Sequence, residues 1–279
     1  MVKRSAILIS CPGNGQSYLP GAVQDPENVR NYLLSPRGGA WDEEEIQIIR
    51  NPNWRAVESI LKYSVADYQL VYFSGHGCTE GAQRLLSFSD VAVPDTYLLN
   101  SISKQLIIVD ACRNYAQPGI WGIPEAYEPY ESFLGVSEAR LQFDSYIASS
   151  PNGKVIVHAT HAGQYAYDDS FDLGGAFTTS LLRVAMKITT KAEFTPLFIY
   201  QLLPIVTKHL EHKGNRQRPC IVFSKGTLKI PFTLDVPQIV VKQAKKHALE
   251  YRKSDDGISE SKLLTAALGM FIIILLTWD

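Results

Sequence analysis

Short apolar runs alternate with stretches of helical spacing through the first 110 residues of the chain. Ala6-Ile7-Leu8-Ile9 predicts a first strand and Ile46-Gln47-Ile48-Ile49 a second. Between them, Val29, Leu33 and Leu34 recur at the spacing of a helix over residues 24–34. Trp54, Val57, Ile60 and Leu61 fall three and four apart, which predicts an amphipathic helix. Leu70-Val71-Tyr72-Phe73 and Leu106-Ile107-Ile108-Val109 are unbroken apolar runs and predict two strands buried on both faces. Alternation of this kind makes an α/β fold, with a mostly parallel central sheet and helices on both faces.

The pattern is less regular afterwards. Residues 113–153 begin with Pro118, Gly119, Trp121, Gly122, Pro124, Tyr127, Pro129 and Tyr130, a composition that predicts a long loop. A helix is predicted over residues 137–149, and a buried strand over 155–159. A further helix is predicted over 175–186. Thr195-Pro196 reads as an N-cap followed by proline at the first helical position, opening a helix to about Leu210 that Pro204 kinks. Cys220-Ile221-Val222-Phe223 predicts a last core strand.

The domain is therefore expected over residues 1–234, followed by a charged connector over 235–262 and an apolar segment over 263–278. That segment, LLTAALGMFIIILLTW, carries no charge. As a helix it spans roughly 24 Å against a hydrocarbon core of about 30 Å. It is expected to act as a membrane tail anchor, with Lys262 and Trp278 at the interfaces. The basic residues Lys242, Lys245, Lys246, Arg252, Lys253 and Lys262 would keep the main domain on the cytoplasmic side. The rival reading is a helix packed on the core or on a second subunit.

Charge and cysteine content narrow the class. The 27 basic and 28 acidic side chains leave a net charge of −1, so no basic excess exists to neutralise nucleic-acid phosphates. Cys11, Cys78, Cys112 and Cys220 form no CxxC pair and no regular framework. Neither a metal site nor a disulfide scaffold is expected, no cofactor is implied, and an intracellular, reducing setting follows. The oligomeric state is left open.

The chemistry concentrates in Ser74-Gly75-His76-Gly77 and Asp110-Ala111-Cys112-Arg113, each directly after a predicted buried strand. Two neighbouring parallel strands would deliver His76 and Cys112 to one sheet edge, where open α/β sheets place their ligands. A thiol beside an imidazole is a nucleophile beside its base, and the same imidazole can protonate a leaving amine. The backbone N–H groups of Gly77 and Cys112 are candidate donors for an oxyanion hole. Cys11, Cys78 and Cys220 read instead as small core or surface residues, and His158 and His161 as ordinary histidines. The sequence names no third catalytic group.

These two strings resemble the histidine and cysteine motifs of the caspase and metacaspase superfamily. Leu19-Pro20-Gly21-Ala22-Val23-Gln24-Asp25 resembles the family's first helix opening. Gly174-Gly175-Ala176-Phe177-Thr178-Thr179-Ser180-Leu181-Leu182 resembles the helix after its substrate loop, and Gln217-Arg218-Pro219 the lead-in to its last core strand. The resemblance implies a caspase-like three-layer sandwich and a cysteine endopeptidase acting on protein substrates through an acyl-enzyme. It also implies a role in regulated cell death or antiviral defence. Asp110 stands where Asp-specific caspases have glutamine, as in metacaspases and related bacterial enzymes. In those enzymes that acid lines the pocket for the residue before the cut, together with an acid matching Asp25. Two carboxylates favour a cation, so cleavage after Arg or Lys is expected. Taken alone, Asp25 also reads as a helix N-terminal charge.

Tyr165 and Tyr167 match the family's substrate-groove strand loosely and are candidate substrate contacts. The segment after His76 lacks the acidic loop of calcium-dependent relatives, and Asp168, Asp169 and Asp172 read as a solvated cluster, so no strict calcium requirement is expected. Residues 114–139 contain no Lys or Arg, leaving Arg140 and Lys154 as candidate self-cleavage sites. Two rival functions remain: a catalytically silent caspase-like recruitment module, and a soluble oligomeric protease whose tail is an assembly helix.

Overall fold

The computed structural model describes residues 2–81, 83–111, 136–167, 174–188 and 194–235, which belong to one compact unit, Met1–Pro237. Cys112, the loop that follows it, the acids Asp168, Asp169 and Asp172, and the connector and apolar tail lie outside the described residues. Among the described residues, no helix is long and apolar enough to cross a membrane.

The chain opens with β1 (Arg4–Cys11), α1 (Pro20–Leu34), β2 (Ile46–Arg50), α2 (Trp54–Tyr63) and β3 (Tyr68–Gly75). Three short strands follow, β4 (Gly77–Glu80), β5 (Gln83–Ser87) and β6 (Ala92–Pro94). The remainder is β7 (Lys104–Ala111), α3 (Val136–Ser149), β8 (Gly153–His158), α4 (Ala176–Lys187), β9 (Thr195–Leu197), α5 (Ile199–His212), β10 (Cys220–Gly226) and β11 (Thr233–Asp235).

Six strands form the central sheet in the order β10-β8-β7-β3-β1-β2, parallel except where β10 runs antiparallel to β8. Alternate side chains divide its two faces. Leu8, Leu70, Tyr72, Leu106, Ile108 and Val157 pack with α1, α3, α4 and α5. Ile7, Ile9, Val71, Phe73, Ile107 and Ile156 pack with α2 and with Leu86 and Val93 of the small sheet. The result is the three-layer α/β sandwich with helices on both faces.

The two sheet edges handle buried polarity differently. At the amino end, Gln69 and Gln105 are fully buried, and Gln105 Nε2 donates to Gln69 Oε1 at 2.9 Å. Asn100 Nδ2 donates to the same oxygen at 2.7 Å, closing an amide network. At the carboxyl end Ser10, Ser74, Asp110 and His158 are buried, and Ser74 and Asp110 belong to the site described below.

Two expectations need correction. Thr195-Pro196 does not open a helix: it lies in β9, which pairs antiparallel with β11, Pro196 opposite Leu234. The helix starts at Ile199, with the Phe198 N–H donating to Gln201 Oε1 at 2.9 Å. A local cap signal lost to a pairing partner some forty residues downstream. The antiparallel sheet β4-β5-β6 is an addition that the apolar pattern did not announce. The candidate cleavage residues are also placed in regular structure. Arg140 lies in α3 with its guanidinium on Glu45 at 2.7 Å, and Lys154 lies in the central strand β8. Cutting at either demands local unfolding first.

Candidate active site

β3 and β7 are neighbours in parallel register, with Gly75 opposite Ala111. His76 and Cys112 are the next residue on each chain, so both motifs leave the sheet at one level of one edge. Gly75 is required there by space, because a Cβ would stand 2.3 Å from the Cys11 carbonyl oxygen of β1.

The half-buried His76 is braced from the segment after β1. Its Nε2 lies 2.5 Å from the Ser17 carbonyl oxygen, which accepts only, so Nε2 carries the proton. In the neutral ring Nδ1 then keeps its lone pair and is the nitrogen available as base. Gly13 makes the brace feasible. It sits at φ +71°, where side chains are disfavoured, and a Cβ there would meet His76 Cδ2 and Nε2 at 2.8 Å. The loop is closed by Leu19 N–H donating to the Pro12 carbonyl at 2.8 Å. Ser17 thus braces the candidate histidine through a backbone atom, which side-chain identity does not signal.

Gly77 opens β4, paired with Leu86, and is half-buried beside His76. Cys112, the other candidate for the oxyanion hole and the candidate nucleophile, lies outside the described residues. Cys11 is no competitor, since burial pushes its thiol up to about 12.

On the α1–α4 face of the same edge, Asp25 and Asp110 come together. Asp25 is fully buried and Asp110 is 5% exposed. Asp25 stands in the second turn of α1, past the first-turn amides that a helix N-terminal charge would serve. Its Oδ1 accepts the Gly175 N–H at 2.8 Å and its Oδ2 the Ser74 hydroxyl at 2.7 Å. Asp110 Oδ2 accepts the Thr178 N–H at 3.2 Å and the Thr178 hydroxyl at 2.7 Å. A Cβ on Gly175 would lie 2.3 Å from Asp110 Oδ2 and 3.0 Å from Asp25 Oδ2, so both carboxylates pack closely against the bare side of that glycine. The start of α4 lends its positive end to both.

Tyr165 and Tyr167 are exposed neighbours, ring centroids 6.3 Å apart, on a loop rather than a strand. That loop is tied to the acid pair: the Tyr167 carbonyl accepts the Ala176 N–H at 2.7 Å, one residue past Gly175. His158 belongs elsewhere. It is buried on the α2 face, with Nε2 2.8 Å from Asp95 Oδ2. Burial opposes ionisation of Asp95, but hydrogen bonds from His158 and Arg84 outweigh it and hold that carboxyl below its usual range. This is a structural ion-pair network.

A six-stranded, mostly parallel sheet with a histidine and a cysteine motif leaving adjacent strands defines a caspase-like protein. The caspase-domain family model matches residues 3–230, and the chain belongs to that family. Membership in this peptidase family supports a cysteine-protease function. The fold is similar to that of caspase-1 from Spodoptera frugiperda, at TM-score 0.50 and 16% identity over 79% of this chain and 89% of that one. A protein from Geobacter sulfurreducens is similar at TM-score 0.51 and 15% identity over 83% of this chain and 99% of its own. At such identities the likeness concerns the fold alone. Among curated proteins none matches the sequence.

Proposed function

We propose that the chain is a cysteine endopeptidase in which His76 activates Cys112 and which cleaves after Arg or Lys. The observation that carries this reading is the register of Gly75 against Ala111, which sends both motifs off neighbouring strands at one level. In this mechanism Nδ1 of His76 takes the Cys112 proton, and the thiolate attacks the scissile carbonyl. The imidazolium then protonates the leaving amine, and water hydrolyses the acyl-enzyme. The Ser17 carbonyl holds the ring in the required tautomer and supports its charged form. The Gly77 and Cys112 N–H groups receive the oxyanion.

The specificity half of the proposal rests on the converging carboxylates of Asp25 and Asp110. Two buried acids side by side favour a cationic side chain, and the planar guanidinium can engage both. Tyr165 and Tyr167 offer flat contact area on the loop tied to them. A peptide panel with Arg, Lys, citrulline, Asp or Leu before the scissile bond tests it: Arg and Lys peptides are expected to be cleaved and the other three to lag. Preference for Asp would overturn the pocket, and no cleavage of any peptide, with no labelling of Cys112 by an arginyl electrophile, would favour the silent recruitment module.

We also propose that residues 263–278 anchor the chain to a membrane. Full-length protein is expected to sediment with membranes and to resist carbonate extraction, and a chain ending at residue 262 to stay in the supernatant. A full-length chain that stays soluble as an oligomer would replace the anchor with an assembly helix.

A further inference from the structure

Behind Asp110 stands a chain of hydroxyls. Tyr72, fully buried in β3, has its Oη 2.6 Å from Thr178 Oγ1. Thr178 Oγ1 in turn lies 2.7 Å from Asp110 Oδ2. A threonine hydroxyl has one proton. An ionised Asp110 can only accept, so the Thr178 proton points at Asp110 Oδ2, with the Thr178 N–H converging on the same oxygen. The Tyr72 hydroxyl also hydrogen-bonds Ser74, so it stands between the two hydroxyls that donate to Asp110 and Asp25. The Tyr72 phenol stays a donor: burial, and after it the charges of Asp25 and Asp110, raise its pKa well above the usual value. Asp25 and Asp110 are the charged groups that act on Tyr72.

We propose that Tyr72 and Thr178 are positioning residues of the specificity pocket. They hold Asp110 ionised and in place beside Asp25 and Gly175, so that it receives the substrate cation. The inference rests on the assignment of Asp25 and Asp110 to that pocket. Neither residue touches the reacting atoms. Hydroxyls donating to a carboxylate favour its charged form and fix its rotamer, and a relay of two strengthens the terminal bond. Ser74 does the corresponding work for Asp25, with Tyr72 behind it as well.

The test compares wild type with Thr178→Val, Thr178→Ser and Tyr72→Phe, on matched peptides carrying Arg or its neutral isostere citrulline before the cut. Thr178→Val is expected to raise KM for the Arg peptide roughly ten-fold, the scale of one hydrogen bond to a charged group, with a smaller change in kcat. The citrulline reaction should change little. The acid limb of kcat/KM for the Arg peptide should move to higher pH, because the carboxylate has lost a donor to its ionised form. Thr178→Ser should restore both KM and the limb. Tyr72→Phe should shift both in the same direction by less, and it carries the test on its own if the valine variant does not fold. A wild type indifferent to citrulline overturns the pocket and the relay together. A wild type that prefers Arg, with variants whose Arg KM and acid limb match it, overturns the relay alone. Equal losses on both peptides, or no rescue by serine, would assign Thr178 to structure only.

Discussion

Replacing His76 by alanine should lower kcat/KM on an arginyl peptide by roughly 10²–10⁴-fold, the range for losing a positioned acid–base group. The loss should fall on kcat, since the imidazole works on the proton of the nucleophile and of the leaving amine rather than on the substrate's side chain. His76 is half-buried at the edge of the sheet and outside both apolar clusters, so the variant should keep its fold. Its alkylation by an arginyl electrophile should slow in parallel, because thiolate formation is assisted by the same ring. A far-ultraviolet spectrum and melting temperature like wild type, together with peptide cleavage within three-fold of wild type, would remove His76 from the mechanism.

The second large effect is expected from one methyl group. Gly175 has φ −67° and ψ 142°, a conformation any residue adopts, so alanine meets no backbone penalty there. Space is the obstacle: the new Cβ would lie 2.3 Å from Asp110 Oδ2, well inside van der Waals contact. The carboxylate must swing away, and the pairing of the two acids is disturbed. Gly175→Ala should therefore lose roughly 10²-fold in kcat/KM on Arg peptides, as displacements of about 1 Å in positioning groups do. Alkylation of Cys112 by iodoacetamide, which needs no specificity pocket, serves as the control. It should proceed at a rate close to wild type. Unchanged Arg cleavage in this variant would show that the acids beside Gly175 do not receive the substrate.

The framework was legible where burial on both faces forced it. Leu70 to Phe73 and Leu106 to Val109 could be little else than interior strands, and the alternation of strand and helix pointed to a parallel sheet. The small sheet escaped because Gly77–Glu80, Gln83–Ser87 and Ala92–Pro94 are short and of mixed polarity, half covered rather than buried. Thr195-Pro196 misled because a cap is a local signal and its β11 partner is not. At the site, the two motif residues stood out by their setting, and the acids by resemblance. The Ser17 carbonyl had no signature, being a backbone atom. Tyr72 looked like core, and Thr178 like one more residue of a helix; their roles depend on meeting over 106 positions of separation.

The histidine is held from the β1 side by residues 12–19, whereas the acids are held from the other direction by α1, Ser74 and the start of α4. Yet Ser74 precedes His76 on β3 and Asp110 precedes Cys112 on β7, so under the proposed mechanism a change of recognition made on either strand is felt by the reacting pair, whereas one made at the entrance of α4 is not.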